Sequence, residues 1–360
     1  MGMSYQDPPL SDNRQPIIIK TMTIKELTAY LETIAPAVYQ EEYDNAGLIT
    51  GDADAEIRGV LLCLDSTEVV VEEAIAKNCN LVIAHHPIVF RGLKKITGKN
   101  YVERTILKAI KNDIAIYAIH TNLDNVHHRG VNAKICEKLG LEHPQILAPK
   151  KALRRYAVTV PVEQAKIVRN LLLRAGLPEV NATRAIDYTA EGSEEQVQLT
   201  AVAPLGGEYA IQKALSKTDV LLEISPLETP GKELGAGMIG YLPQPMPELN
   251  FLQHLKQTMR AGVVRHTALL GRAVRTVAVC GGSGSFLLGN AIAQGADVFV
   301  TADFKYHEFF DANGNIVIAD IGHFESEQFT IELLYEIISK KFTNFALHCT
   351  ERSTNPVFYL

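Results

Sequence analysis

The sequence predicts an α/β protein: two α/β lobes with largely parallel sheets covered by helices, plus an inserted ferredoxin-like (βαββαβ) α+β domain. Three observations carry this. Short, fully apolar runs such as "GVLLCLD" and "LVIA" alternate with amphipathic helical stretches, the pattern of strands buried on both faces. Near residue 150 that rhythm gives way to strand–helix–strand–strand–helix–strand, the order of a ferredoxin-like unit. After residue 229 the α/β alternation resumes and runs to the end of the chain.

Taken in order, residues 1–22 read as a flexible tail. Thr23 then opens a helix with a T-x-x-E capping box to Glu26, and Leu27, Tyr30, Leu31 and Ile34 supply its apolar stripe. "YDNAGLITGD" reads as turns. "GVLLCLD", "LVIA" and "IAIYAI" are strands. Between them "STEVVVEEAIAKN", capped by Ser66 or Thr67, and "YVERTILKAIKND" are helices, and a helix over 130–139 is closed by Gly140. Residues 23–150 and 229–360 form the core, and residues 151–228 the inserted domain. The Pro/Gly-rich "SPLETPGKELGAG" reads as the exit linker. Beyond it lie a helix near 249–260, the strand "RTVAVC", a "GGSGS" loop, the helix "FLLGNAIAQG" and the strand "DVFVTAD". The short helix "KYHEFFDANG", the strand "NIVIADI", one long helix "HFESEQFTIELLYEIISKKF" and the strand "NFALHC" complete the chain.

Composition narrows the function. At 360 residues, 47 % hydrophobic and 21 % charged, the chain is an ordinary globular protein. A net charge of −6 makes duplex nucleic acid a poor partner. Its five cysteines are odd in number and never form a CxxC, which points to reduced thiols and a cytoplasmic location. No apolar run reaches the roughly 20 residues of a membrane helix.

The chemistry gathers where strands end, since ligands of open parallel sheets bind beyond the carboxyl ends of the strands. His85 and His86 follow "LVIA" as its exit loop, His120 and Asp124 follow "IAIYAI", and His323 and Glu327 follow "NIVIADI" one helical turn apart. Four imidazoles and two carboxylates exceed what one four-coordinate structural zinc uses, and they suit two divalent metal ions sharing a bridging carboxylate. Nitrogen and oxygen ligation without thiolate fits Zn, Fe, Mn or Ni. His307, after another strand end, and His120 are candidate general acid/base residues. Asp65 closes its strand where it could orient a ligand imidazole. "GGSGS" is either a phosphate-holding turn or a plain tight turn. Arg91, Lys94 and Lys95 could meet an anionic substrate. His127 and His128 either support Asp124 or are simply exposed. His143, His254, His266 and His348 have no partner pattern.

As an ordered set, "DNAGLITGD", "LVIAHHPIVF", "HTNLD", "TADFKYHEFFDA" and "GHFESE" resemble the Nif-three-like family of dinuclear-metal proteins, whose bacterial members are called type 2 GTP cyclohydrolase homologues. The resemblance spans nearly the whole chain. It implies His85, His86, Asp124, His323 and Glu327 as metal ligands, with Glu327 bridging, and a toroidal homohexamer. It also implies an insert like the PII and CutA domains. Ala302 stands where the family's T-G-D/E motif has glycine, and the insert lacks the family's His-Pro-Tyr-Glu-Glu stretch. The expected activity is hydrolysis of GTP or a related purine nucleotide, or of another small molecule, by a water activated between two metals. The alternative is a non-enzymatic metal-delivery or regulatory scaffold.

Overall fold

The computed structural model describes residues 21–189 and 192–360. Most of the expected tail lies outside the described residues, but its last two positions are held. Thr21 Oγ1 donates to Glu56 at 2.6 Å, and the Met22 carbonyl accepts the Ile57 N–H at 2.8 Å.

Helix α1 (Ile24–Glu32) starts at the expected capping box. Thr23 Oγ1 accepts the Glu26 N–H, and the Glu26 carboxylate accepts the Thr23 N–H at 3.0 Å. The chain continues through β1 (Gly47–Thr50), β2 (Gly59–Asp65), α2 (Glu68–Ala76), β3 (Leu81–His86) and α3 (Tyr101–Lys111). Then come β4 (Ala115–Ala118), the single turn α4 (Thr121–Asp124), α5 (Val131–Leu139) and β5 (Glu142–Pro149). Thr67 caps α2. Gly140 ends α5 at φ +69°, a left-handed conformation cheap only for glycine. Next come β6 (Leu153–Pro161), α6 (Val162–Arg174), β7 (Asn181–Thr189), β8 (Gly192–Pro204), α7 (Glu208–Leu215) and β9 (Leu222–Pro226). These strands form an antiparallel sheet of order β7-β8-β6-β9. One apolar cluster beneath it includes Val158, Val168, Leu172, Leu199 and Ile211.

The last third contains β10 (Gly235–Pro247), α8 (Glu248–Thr258), β11 (Arg265–His266), β12 (Ala273–Ser283), α9 (Leu288–Ala293) and β13 (Val298–Ala302). β14 (Val317–Asp320), α10 (His323–Glu327), α11 (Thr330–Ser339) and β15 (Ala346–Cys349) complete it. One sheet has the order β1-β4-β3-β2-β15, parallel except for β1. A second has the order β11-β14-β13-β12-β10-β5. Only β12, β13 and β14 are mutually parallel there, so this sheet is mixed rather than largely parallel.

Alternation along the strands splits the core. In β2, Val60 and Leu62 face one cluster, while Leu61 and Cys63 face another shared with Val70 and Ile106 of α2 and α3. The first cluster continues through α5, α8 and α11 to Val277 and Val279 of β12 and Val298 and Val300 of β13. Helices therefore fill the space between the two sheets, and each buried Val, Leu or Ile contributes roughly 1.5–3 kcal/mol. Among the described residues no helix is long and apolar enough to cross a membrane.

Several expected elements change. β3 includes His85 and His86, which are strand residues rather than an exit loop, because Asp65 of β2 pairs with His86 in register. β1 lies inside the stretch read as turns, and β10 occupies the end of the expected linker together with "YLPQPMP". The expected long helix is broken at Gln328–Phe329 into α10 and α11.

Candidate metal centre

The carboxyl ends of β2, β3 and β4 meet those of β12, β13 and β14 across a cleft of about 1080 Å³, and the strand-end residues gather there. His85, His86, His120, Asp124, His323 and Glu327 form overlapping groups whose donor atoms lie within 4.8 Å of one another. His85 and Glu327 are buried at 0 % and 3 % exposure, whereas the His323 side chain is 41 % exposed at the mouth.

Each imidazole is held by Nδ1. His85 Nδ1 donates to the Ile119 carbonyl at 2.9 Å, which fixes its tautomer and leaves the Nε2 lone pair free. The Nδ1 atoms of His86, His120 and His323 hydrogen-bond to Asp65 (2.8 Å), Asp44 (2.8 Å) and Asp303 (2.7 Å). On the inner side, His86 Nε2 lies 2.9 Å and His323 Nε2 3.1 Å from Glu327 Oε2. His85 Nε2 faces Glu327 Oε1 at 3.8 Å and Asp124 Oδ1 at 3.5 Å. Metal-binding histidines are oriented in this way, with the outer nitrogen donating to a carboxylate or carbonyl.

Burial disfavours ionised Glu327, but the close imidazoles, His323 foremost and then His86, outweigh it and hold its carboxyl well below the usual range. Asp124 shifts upward, through burial and then the negative charge of Glu327. Burial opposes charge on His86 and His323, yet their carboxylate partners prevail and raise them to about 9 and about 11. Asp44 falls to about 2, because the hydrogen bond and charge of His120 overcome its burial. His85, wholly buried, moves downward by desolvation. Two buried donor atoms, His85 Nε2 and Asp124 Oδ1, have no hydrogen-bond partner. A cation between them would satisfy both, so the donor set fits a metal.

Two glycines make room for Glu327. A Cβ on Gly282, at φ +64°, would sit 2.5 Å from Glu327 Oε1, and one on Gly281 would sit 3.2 Å from Glu327 Cγ. Their N–H groups are spent on Ser326 Oγ and Asn132 Oδ1, both at 2.9 Å. The expected "GGSGS" loop is therefore partly the end of β12, and these two amides are not free to hold phosphate.

His307 is not brought to the centre. Asp303, at φ +60°, turns the chain outward, and His307 is exposed on a short 3₁₀ helix with its ring 6.4 Å from Phe310. Arg91, Lys94 and Lys95 are exposed and line no part of the cleft. Asp65 does orient His86. The sequence pattern assigns no role to Asp44 or Asp303. Asp303 follows β13 as Asp65 closes β2, so the same strand-end signal would have found it. Asp44 lies in a loop before β1 and gives no such signal.

A model of the family Duf34/NIF3 (NGG1p interacting factor 3) matches residues 22–356. The chain belongs to the DUF34/NIF3 family. This DUF34/NIF3 chain is 31 % identical to a Bacillus subtilis protein named GTP cyclohydrolase 1 type 2 homolog, over 95 % of its own length and all of the relative's. A Staphylococcus epidermidis protein of the same name is 33 % identical over 94 % of this chain and all of that one. The crystal structure of a Bacillus cereus protein related to NIF3 superposes with a TM-score of 0.79 at 34 % identity, covering 95 % of this chain and 100 % of that one. HcgD from Methanocaldococcus jannaschii, at 19 % identity and a TM-score of 0.59, shares the fold over 92 % of this chain and 99 % of that one.

Proposed function

We propose that this DUF34/NIF3 protein is a hydrolase dependent on two divalent metal ions, acting on a purine-type heterocycle. The observation that carries the reading is the set of imidazoles held from outside by Nδ1 and turned inward on two carboxylates, with His85 Nε2 and Asp124 Oδ1 unpartnered. His85, His86, Asp124, His323 and Glu327 would hold the ions, which are Zn, Fe, Mn or Ni by ligand type. The two oxygens of Glu327 face different imidazoles, as a bridging carboxylate requires. When bound, such ions polarise a substrate and make water nucleophilic near neutral pH.

The chain's own groups do the rest. His120, pinned by Asp44 and lining the cleft, is placed to accept and return a proton. Phe90 meets the His120 ring edge-on at 5.8 Å. Tyr43, Tyr101 and Phe286 add aromatic surface to the wall, which suits a flat ring. Among the described residues that line the cleft, Arg265 is the only lysine or arginine, and it is paired with Asp320. Any phosphate of the substrate would therefore depend on the bound ions, while the aromatic wall would hold the base.

The test is elemental analysis of the purified protein, followed by a substrate panel with the found metal restored. Two ions per chain, lost in Asp124→Asn, with turnover of a purine nucleotide or nucleoside from the panel, is the expected result. Turnover unchanged in Glu327→Gln protein shown to lack metal overturns the hydrolase reading. One observation favours metal delivery instead, the partly exposed His323 at the mouth. Rapid transfer of metal to an apo-protein with no turnover across the panel would decide for it. The proposal extends to a cytoplasmic toroidal hexamer, to be checked by light scattering, and to a PII- or CutA-like role for the βαββαβ insert.

A further inference from the structure

His127 and His128 turn away from the cleft and meet Glu233, on the segment returning from the inserted sheet. His128 Nε2 is 3.6 Å and His127 Nδ1 3.8 Å from the same Glu233 Oε2. All three donor atoms lie within 4.8 Å of one another. The backbone sets this meeting. Val126 and Leu234 form an antiparallel bridge, the His127 N–H donates to the Glu233 carbonyl at 3.0 Å, and the Gly235 N–H donates to the Asn125 carbonyl at 2.9 Å.

The tautomer of His127 is set as well. Its Nε2 lies 3.1 Å from the Pro144 carbonyl, an acceptor only, so Nε2 carries the proton and Nδ1 presents a lone pair. That Nδ1 is buried and has no hydrogen-bond partner. A backbone carbonyl on one ring nitrogen and an open lone pair on the other repeat the arrangement of His85. The remaining two ligands are mobile enough to close, since His128 and Glu233 are 77 % and 61 % exposed.

We propose that His127, His128 and Glu233 form a separate binding site for a borderline divalent metal such as Zn²⁺. Two imidazoles and one carboxylate select Zn, Ni, Co or Cu over Mg or Ca. Zinc bonds to nitrogen at about 2.0–2.1 Å. Tetrahedral donors then stand about 3.4 Å apart, so small movements of the exposed side chains close the site and water completes it. Occupancy would clasp the strand leaving the insert to the loop after α4, three residues beyond Asp124.

The experiment measures zinc per chain by equilibrium dialysis and elemental analysis on chelator-stripped, full-length protein. Wild type is compared with the double variant His128→Ala, Glu233→Gln, neither residue belonging to the cleft. The expected result is one zinc fewer per chain in the double variant. Zinc-dependent protection of the amides of residues 232–235 from hydrogen exchange should accompany it in wild type alone. Equal zinc counts in the two proteins would overturn the proposal. A background of Asp124→Asn separates the sites, because the one-zinc difference should persist there whatever becomes of the cleft.

Discussion

Gly282 shows how narrowly the centre is cut. A methyl group there would press on Glu327 Oε1 at 2.5 Å and would also have to tolerate φ +64°, a backbone cost of roughly 1–2 kcal/mol. Gly282→Ala is expected to weaken metal binding at least about tenfold while the protein still folds, measured by chelator competition beside circular dichroism. Asp303 offers a milder version of the same test. Asn in its place keeps the shape but loses the charge that holds His323 Nδ1, and the loss of such a partner typically lowers metal affinity about 10–100-fold. Full affinity in Asp303→Asn would mean that His323 needs no orientation. At this scale the inner residues were legible, because imidazoles and carboxylates at strand ends announce themselves. Their supports were legible only in part. Asp65 shares the strand-end signal, whereas Asp44 reaches His120 from 76 residues away by a loop whose path no local pattern reveals.

Elements were legible where their period was clean. β2, β3 and β4 are buried apolar runs, and α1 and α3 carry caps and stripes, so sequence and structure agree on them except at the two histidines that end β3. β1 gives no strand signal because it is a short, half-exposed edge strand flanked by turn residues. β10 was missed because its Gly and Pro content reads as linker, although its first half is largely buried between β5 and β12. The start of α3 gives a prediction at this level. Glu103 caps the loop before the helix, its Oε2 accepting the N–H groups of Thr97 at 2.7 Å and Lys99 at 3.1 Å and the Thr97 hydroxyl at 2.9 Å. These bonds, the Thr97 amide foremost, lower its pKa from 4.5 to about 2. A carboxyl depressed in the folded state contributes stability that is fully present above its unfolded pKa and lost as pH falls through the folded one. Glu103→Gln should therefore melt earlier than wild type at pH 7. The gap should close as the pH drops from about 4.5 to about 2, followed by thermal melts across that range. A gap independent of pH would show that shape rather than charge holds the loop.

On the scale of the whole molecule, the centre joins two sheets that the chain itself interleaves. β5, from the first half, extends the second sheet, and β15, from the far end, returns to pair with β2. Neither exchange follows from local pattern, because pairing between distant strands is decided by the shared core and not by the strands' own residues. Beyond β15 the chain passes the cleft, where Thr354 Oγ1 donates to Asp65 at 2.6 Å and Asn355 Nδ2 to Glu325 at 3.1 Å. His85, His86, His120 and Asp124 come from strand ends of the first sheet and the turn after β4, His323 and Glu327 from the helix that follows β14 of the second, so a cation held by both sets is a cross-link between them. A ligand that binds only the folded form stabilises by RT ln(1 + [L]/Kd), about 2.7 kcal/mol at one hundred times Kd. Wild-type protein loaded with its metal should therefore melt several degrees above protein stripped by a chelator. Asp124→Asn should lose most of that difference while its stripped form melts close to stripped wild type. Equal melting of loaded and stripped wild type would mean that the folded form binds no metal more tightly than the unfolded chain does. In that case the buried lone pair of His85 and the buried oxygen of Asp124 would need another partner.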